Sequence, residues 1–363
     1  MKRILAIALC LVMALAIVAC GGANNETTTE APEAPVTEAE YKLGMGVVVD
    51  MNSSATGNAQ VDATVAAVVT DADGKIVACR IDVAQNKMNV TDGAVDTAAT
   101  FLTKMEKGDA YGMAAAVNYG MDWNGDGVVK EWYDQAKAFE AYVVGKTVAE
   151  VEAIQTQVVE GAGYVIAADE ALLTAGCTIQ ITDFIDAVVK ACKDEQGMSF
   201  KTNATFTLGV AANTTVDAAT VAATAETDGT VAMYSDMACA VVADGKVIAT
   251  LNDAIQPKIT ISAAGEIVET SFKGTKRELK EGYNMAKFGA PNVEGGTVLE
   301  WYVQSAAFSN YVLGKTATEI DNMETKLVNN HYISVEEGLL SAGCTMQITG
   351  ICDVVAKSAN NAR

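Results

Sequence analysis

The sequence predicts an α+β fold written twice: two tandem domains, each an antiparallel β-hairpin or sheet packed with helices. Three observations carry that expectation. Blocks of sequence recur in the same order about 170 residues apart, a period that means duplicated domains rather than a solenoid. Each unit opens on β-rich runs around an Asp-Gly pair, the strongest short hairpin signal. Each then turns to helical periodicity with its own start and stop residues.

Taken in chain order, Tyr41-Lys-Leu-Gly answers Phe206-Thr-Leu-Gly. Runs 64–69 and 76–83 flank Asp73-Gly74, as runs 239–242 and 247–251 flank Asp244-Gly245, so each unit begins with antiparallel strands. Gln85-Asn-Lys answers Gln256-Pro-Lys, and Tyr111-Gly-Met113 answers Tyr283-Asn-Met285. EWYDQAKAFEAYVVGKT then matches EWYVQSAAFSNYVLGKT. Trp132, Ala136, Phe139 and Val143 fall at helical spacing, as do Trp301, Ser305, Phe308 and Val312. That spacing predicts an amphipathic helix stopped by Gly145 or Gly314, with both tryptophans turned to the core. Thr147 with Glu150, and Thr316 with Glu319, are capping boxes that start a further short helix. The units close on LLTAGCTIQITDF (172–184) and LLSAGCTMQITGI (339–351), read as a strand or turn leading into a helix that Thr182 or Thr349 begins. The expected domains are 41–195 and 203–358.

The chain opens MKRILAIALCLVMALAIVAC, two cations ahead of an apolar run that ends at a cysteine. This is the form of a bacterial lipoprotein signal over residues 1–19, with Cys20 as the lipidated residue. Residues 20–40 read as the lipidated Cys and a disordered Thr/Glu/Pro/Ala tether. The expected location is the outer face of a cell membrane, held by the lipid anchor. The formal net charge is -21, and losing the signal would remove Lys2 and Arg3 and no acid. So acidic a surface excludes a nucleic-acid partner.

Six cysteines remain beyond Cys10 and Cys20, three in each unit, with no CxxC or CxxH spacing, so zinc and iron–sulfur ligation find no support. The repeated small residues, Ala175-Gly176-Cys177 and Ala342-Gly343-Cys344, allow two readings. They let an anion such as a phosphate approach Thr178 or Thr345 beside a helix N-terminus, or they pack a tight turn. Tyr111, Met113, Tyr283 and Met285 likewise suit either the border of a flat π-system or ordinary half-buried packing. His331, the single histidine, lies in Asn329-Asn330-His331 with no counterpart in the first unit, which argues against histidine acid–base catalysis and for a surface loop. Asp122, Asn124 and Asp126 occupy the first, third and fifth positions of a calcium-loop pattern, but the twelfth is Tyr133; an Asx-rich turn competes with a weak calcium site.

The closing pattern, small-Gly-small-Thr before a helix, resembles the flavinylation motif of the FMN-binding domain family. The order of blocks across residues 41–358, with its YGM or YNM, EWY, GKT and CTIQIT or CTMQIT segments, is similar to the flavinylated lipoproteins that serve extracellular electron transfer in Gram-positive bacteria. The resemblance implies two FMN groups, joined by phosphoester bonds to Thr178 and Thr345 by a flavin transferase that reads the residues just before each threonine. It further implies a membrane quinone-linked dehydrogenase as electron donor, and ferric iron or free flavins as extracellular acceptors. Two departures from the family pattern are visible. The usual Ser/Thr-Gly-Ala-Thr is Ala-Gly-Cys-Thr, and an Asp common six residues before the acceptor is Leu172 or Leu339. The rival reading is a cell-surface binding or adhesion lipoprotein whose repeats are structural.

Overall fold

In the first half, β1 (Ala39–Asp50), β2 (Asn58–Asp71) and β3 (Ile76–Thr91) form an antiparallel meander, to which β4 (Ala94–Val95) adds a short edge. The Asp-Gly hairpin lies where the sequence puts it: Asp71 accepts from the amides of Asp73 and Lys75, and Gly74 takes the left-handed φ of 74°. These coordinates are a computed structural model that describes residues 38–119, 122, 123 and 125–363. The predicted signal, Cys20 and residues 21–37 of the tether lie outside the described residues.

After the meander come α1 (Lys104–Lys107), α2 (Trp132–Val143), α3 (Val148–Glu152), the small hairpin of β5 (Thr156–Val158) and β6 (Val165–Ala167), α4 (Glu170–Thr174) and α5 (Thr182–Cys192). Then β7 (Met198–Thr202) returns to pair antiparallel with β1, giving the order β4-β3-β2-β1-β7. This pairing draws Ala39 and Glu40 into strand, opposite Thr202 and Lys201, where the sequence suggested tether.

The second half repeats the plan. Strand β9 (Gly229–Ala243) is central; β8 (Thr207–Val216) lies on one side, and β10 (Lys246–Ile255) and then β11 (Lys258–Ile261) share the other, with β12 (Ile267–Ser271) at the edge. Next come α6 (Lys276–Leu279), α7 (Met285–Phe288), α8 (Trp301–Tyr311), α9 (Ala317–Asp321), the hairpin of β13 (Thr325–Val328) and β14 (His331–Ser334), α10 (Glu337–Ser341) and α11 (Thr349–Asn360). The α+β class with antiparallel sheets is therefore observed.

The strands are apolar on both faces because both faces are covered. On β2, Val61, Ala63, Val65, Ala67 and Val69 join a core shared with Leu208, Val210, Met237 and Val241 of the other half. The opposite face, Ala66 and Val68, packs under Trp132, Phe139 and Phe184. The second sheet has its own outer core beneath Trp301, Phe308 and Val355. The layers run helices, sheet, sheet, helices, and residues 38–363 form one compact unit.

Helix α5 crosses β1 so closely that a Cβ on Gly44 or Gly46 would run into the carbonyls of Ala191 and Ala187, and Gly209 of β8 stands likewise beneath Ser358 of α11. Two ion pairs join each half to the other in matching places: Lys190 to Glu278 and Lys357 to Glu106.

Two local expectations change. Segment 170–174 is helical, not strand, because Asp169 caps it by accepting from the amides of Ala171 and Leu172. Thr182 and Thr349 are the first helical residues rather than caps; Ile181 and Ile348 hold the cap positions and donate instead to carbonyls of Val165 and Tyr332. The predicted capping boxes of Thr147–Glu150 and Thr316–Glu319 are present, and Thr103–Glu106 and Thr275–Glu278 form two more. His331 opens strand β14 behind a turn made by Asn329 and Asn330, both at positive φ, and its side chain is exposed.

Candidate functional site

The turn after α4 is shaped by Gly176, whose φ of 84° favours glycine, and Gly343 repeats it at 87° after α10. Cys177 and Cys344 follow these glycines into the core and are fully buried. Burial pushes both thiols up to about 12, so neither is an activated thiol. The helices begin five residues later, at Thr182 and Thr349. Ala175 and Ala342 are the C-caps of the short helices, and the Ala175 carbonyl accepts from Lys130 Nζ at 2.8 Å.

The threonines come next, and each is pinned by a glutamine that the sequence reading did not single out. Gln135 Oε1 accepts from Thr178 N at 2.8 Å and lies 3.3 Å from Thr178 Oγ1; its Nε2 donates to the Lys130 carbonyl at 2.7 Å. Gln304 accepts from Thr345 N and Met346 N, both at 2.8 Å, and donates to the Leu299 carbonyl at 2.7 Å. Both glutamines are fully buried beside the apolar stripe of their helices. The signal was a polar residue kept at the same place in EWYDQ and EWYVQ.

The glutamate of the same block ties in the Tyr-x-Met segment. Glu131 accepts from the amides of Met113 and Ala114 at 2.9 and 3.0 Å, and Glu300 from those of Met285 and Ala286 at 3.0 and 3.2 Å. One helix N-terminus thus holds three recurring blocks together in each repeat.

In the first repeat these blocks wall a cleft of ≈ 400 Å³. Thr178 lines it with Tyr111, Met113, Trp132, Gln135 and Phe184, and Asp62, Lys104, Trp123 and Tyr164 complete the rim and floor. That volume is within the range of small-molecule sites. Lys104 stands over the rings of Tyr111 and Trp132, 5.1 and 5.4 Å from their centroids, and burial lowers its pKa. Asp62 Oδ2 accepts from Gln60 Nε2 at 2.6 Å, while Oδ1 is buried without a partner. Aromatic side chains, one cation and the carboxylates of Asp50, Asp62 and Asp183 suit a flat heteroaromatic ring that carries both N–H donors and carbonyl acceptors.

In the second repeat, Tyr283 and Lys276 border a cleft of ≈ 370 Å³ together with Met233, Gln256, Lys258 and Lys273. Thr345 does not line it; the Thr345 carbonyl accepts from Asn292 Nδ2 at 2.8 Å. Met285 packs against the outer core with its sulfur 3.7 Å from Gln304 Nε2. Trp132 and Trp301 are both buried, as the helical spacing predicts, yet Trp132 also reaches the cleft.

At the calcium-like loop, Asp122 accepts from the amides of Gly125 and Gly127, and Asp126 from that of Val128, the bonding of an Asx-rich turn. Asn124 lies outside the described residues. Among the described residues no three His, Cys, Asp or Glu side chains are grouped to hold a metal, and no helix is long and apolar enough to cross a membrane.

No protein-family profile matches the chain, and no solved structure matches it. A chlorophenol reductase of Desulfitobacterium hafniense is 32% identical over 169 residues, covering 35% of this chain and 49% of that protein. The chain thus spans about half the length of the curated relative it matches.

Proposed function

We propose that the protein is a membrane-anchored extracellular electron carrier that holds FMN through a phosphoester to threonine. The observation that carries this reading is Thr178 on the wall of an aromatic-sided cleft, with its amide and hydroxyl both directed to Gln135. The partial similarity to a reductase supports a redox role.

Flavin supplies the chemistry of taking up and releasing electrons, and the chain supplies position and access. Gln135 fixes the Thr178 backbone and holds its hydroxyl at the cleft. Trp132, Tyr111 and Phe184 give the cleft the apolar surface against which the ring would lie. Attachment needs an activated donor, a flavin phosphoanhydride presented by a flavin transferase. A bond forms from Thr178 Oγ1 to phosphorus, the phosphorus bond to the bridging oxygen breaks, and the leaving phosphate departs with that electron pair. The hydroxyl proton passes to a base of the transferase, and nothing is oxidised or reduced. Thr345 is the repeat's second candidate acceptor.

The lipid anchor at Cys20 and its tether would place the carrier between a membrane quinone-linked dehydrogenase and acceptors such as ferric iron or free flavins. The test is the absorbance and peptide mass of protein made with an active flavin transferase. A yellow protein with an FMN-sized increment on a peptide holding Thr178 or Thr345 is expected. A colourless, unmodified protein would replace this reading with that of a surface binding module.

A further inference from the structure

The two repeats differ at the place where a ligand would lie. Strand pairing sets their equivalence: Lys190 Nζ donates to the Val47 carbonyl and Lys357 Nζ to that of Ala212, so Val47 corresponds to Ala212. Three residues further along, Asp50 pairs with Asp62 in the first sheet and Thr215 pairs with Tyr234 in the second. Tyr234 therefore stands where the first repeat has Asp62.

The substitution changes what the lysine at the start of the following short helix meets. Lys104 has the charges of Asp62, Asp183 and Asp82 in its surroundings but no hydrogen bond to any of them. Lys276, its counterpart at the start of α6, donates to Tyr234 Oη at 3.2 Å, and that hydroxyl donates to Asp236 Oδ1 at 3.0 Å. The Tyr234 ring also lies beneath the Lys276 ammonium, 4.7 Å from its centroid. A second exchange reinforces the first. Asp183, which lines the first cleft, is matched by Gly350, and the Asp236 carboxylate occupies the space a Cβ there would need.

So the second repeat satisfies its own cation with a phenol and a carboxylate, while in the first, among the described residues, Lys104 makes no hydrogen bond to Asp62, Asp82 or Asp183, and Asp62 Oδ1 is buried without a hydrogen-bond partner. A flavin ring carries carbonyl acceptors beside an N–H donor along one edge, which is the complement of that pair. We infer that the first repeat alone takes the flavin, at Thr178 with Lys104 and Asp62 facing the ring, and that Tyr234 stands in for the ligand in the second repeat.

This inference rests on the flavin reading, and the experiment separates the two. The full chain is made with a flavin transferase as wild type, Thr178→Ala, Thr178→Ser and Thr345→Ala, with intact mass and flavin absorbance per chain measured on each, and melting curves to confirm folding. One increment is expected in the wild type and in Thr345→Ala, none in Thr178→Ala, and a return of loading in Thr178→Ser. Two increments in the wild type, or loss of the increment in Thr345→Ala, overturn the inference and leave flavin attachment standing. No increment in any chain, while the transferase modifies a control substrate, overturns the flavin reading and this inference with it.

Discussion

Lys357 Nζ stands 2.7 Å from Glu106 Oε1, and the same bond is made 2.9 Å long by their repeat counterparts, Lys190 and Glu278. Each lysine projects from the closing helix of one repeat, and each glutamate belongs to the capping box that starts the lysine-bearing turn of the other. The two halves are thus fastened by an exchange of like contacts. A buried pair accompanies it, Arg277 with Asp194 at 3.0 Å.

These contacts differ in weight. Glu278→Gln removes a half-exposed pair and should cost about 1 kcal/mol or less. Arg277→Met leaves the Asp194 carboxylate buried without its cation and should cost about 3–5 kcal/mol. Urea unfolding of both variants checks the contrast; equal costs would count against it.

Gln135→Leu removes the side chain that the Thr178 amide and the Lys130 carbonyl both bond. A loss of about 1–3 kcal/mol for each of these groups is expected. Flavin loading should fall with it, and a variant that loads as fully as the wild type would remove Gln135 from the positioning of Thr178.

Asp253 is buried, and desolvation raises its pKa to about 6 despite bonds from Arg277, Ala254 and Thr275. Its folded form holds a proton that the unfolded chain releases near pH 4. Stability from this group is complete below that pH and is lost as pH rises through about 6. The wild type should therefore lose up to about 3 kcal/mol between pH 4 and 7 that Asp253→Asn does not, read from unfolding midpoints across that range.

Among the described residues six cysteines are free, and all but Cys192 are buried. Burial raises their pKa, to about 11 for Cys192 and to about 12 for Cys177, Cys239, Cys344 and Cys352. Alkylation of the folded protein at pH 8 should be slow, with Cys192 reacting first, and denaturation should make all of them react together.

Lys104→Met removes the cation nearest the proposed ring, where negative charge would grow on reduction. The flavin potential should fall, by about 30 mV for every 1.4 kcal/mol of stabilisation lost in a two-electron couple. Spectroelectrochemical titration measures it, and an unchanged potential would place Lys104 away from the ring.

Much of this was legible locally. The Asp-Gly hairpins, the Trp132 and Trp301 helices and two capping boxes each follow from a few neighbouring residues. The pairing of β7 with β1 and the face-to-face sheets were not, because they depend on residues brought together from far along the chain. The exchange of Asp62 for Tyr234 was hidden by a one-residue difference in the hairpin turns. Asp71 pairs with Lys75 across three residues in the first, and Ala243 pairs with Lys246 across two in the second. Counting from Asp73 and Asp244 therefore sets Asp62 against Met233, one residue off. Gln135 sits beside the predicted stripe of Trp132, Ala136, Phe139 and Val143 but is not part of it, and its acceptor role depends on a turn 43 residues away.

The shared core between the sheets has a bearing on how such a chain descends. Val61 and Val65 of one copy are kept dry by Val210 and Met237 of the other, so neither copy can be deleted without laying open the apolar face of its neighbour. A duplicate retained for shelter is free to change on its outer side, where Tyr234 and Gly350 differ from Asp62 and Asp183, and constrained on its inner one. Freedom on the outer faces and dependence at the seam then persist together, and a single repeat cut from the chain would expose the apolar face that the other now covers.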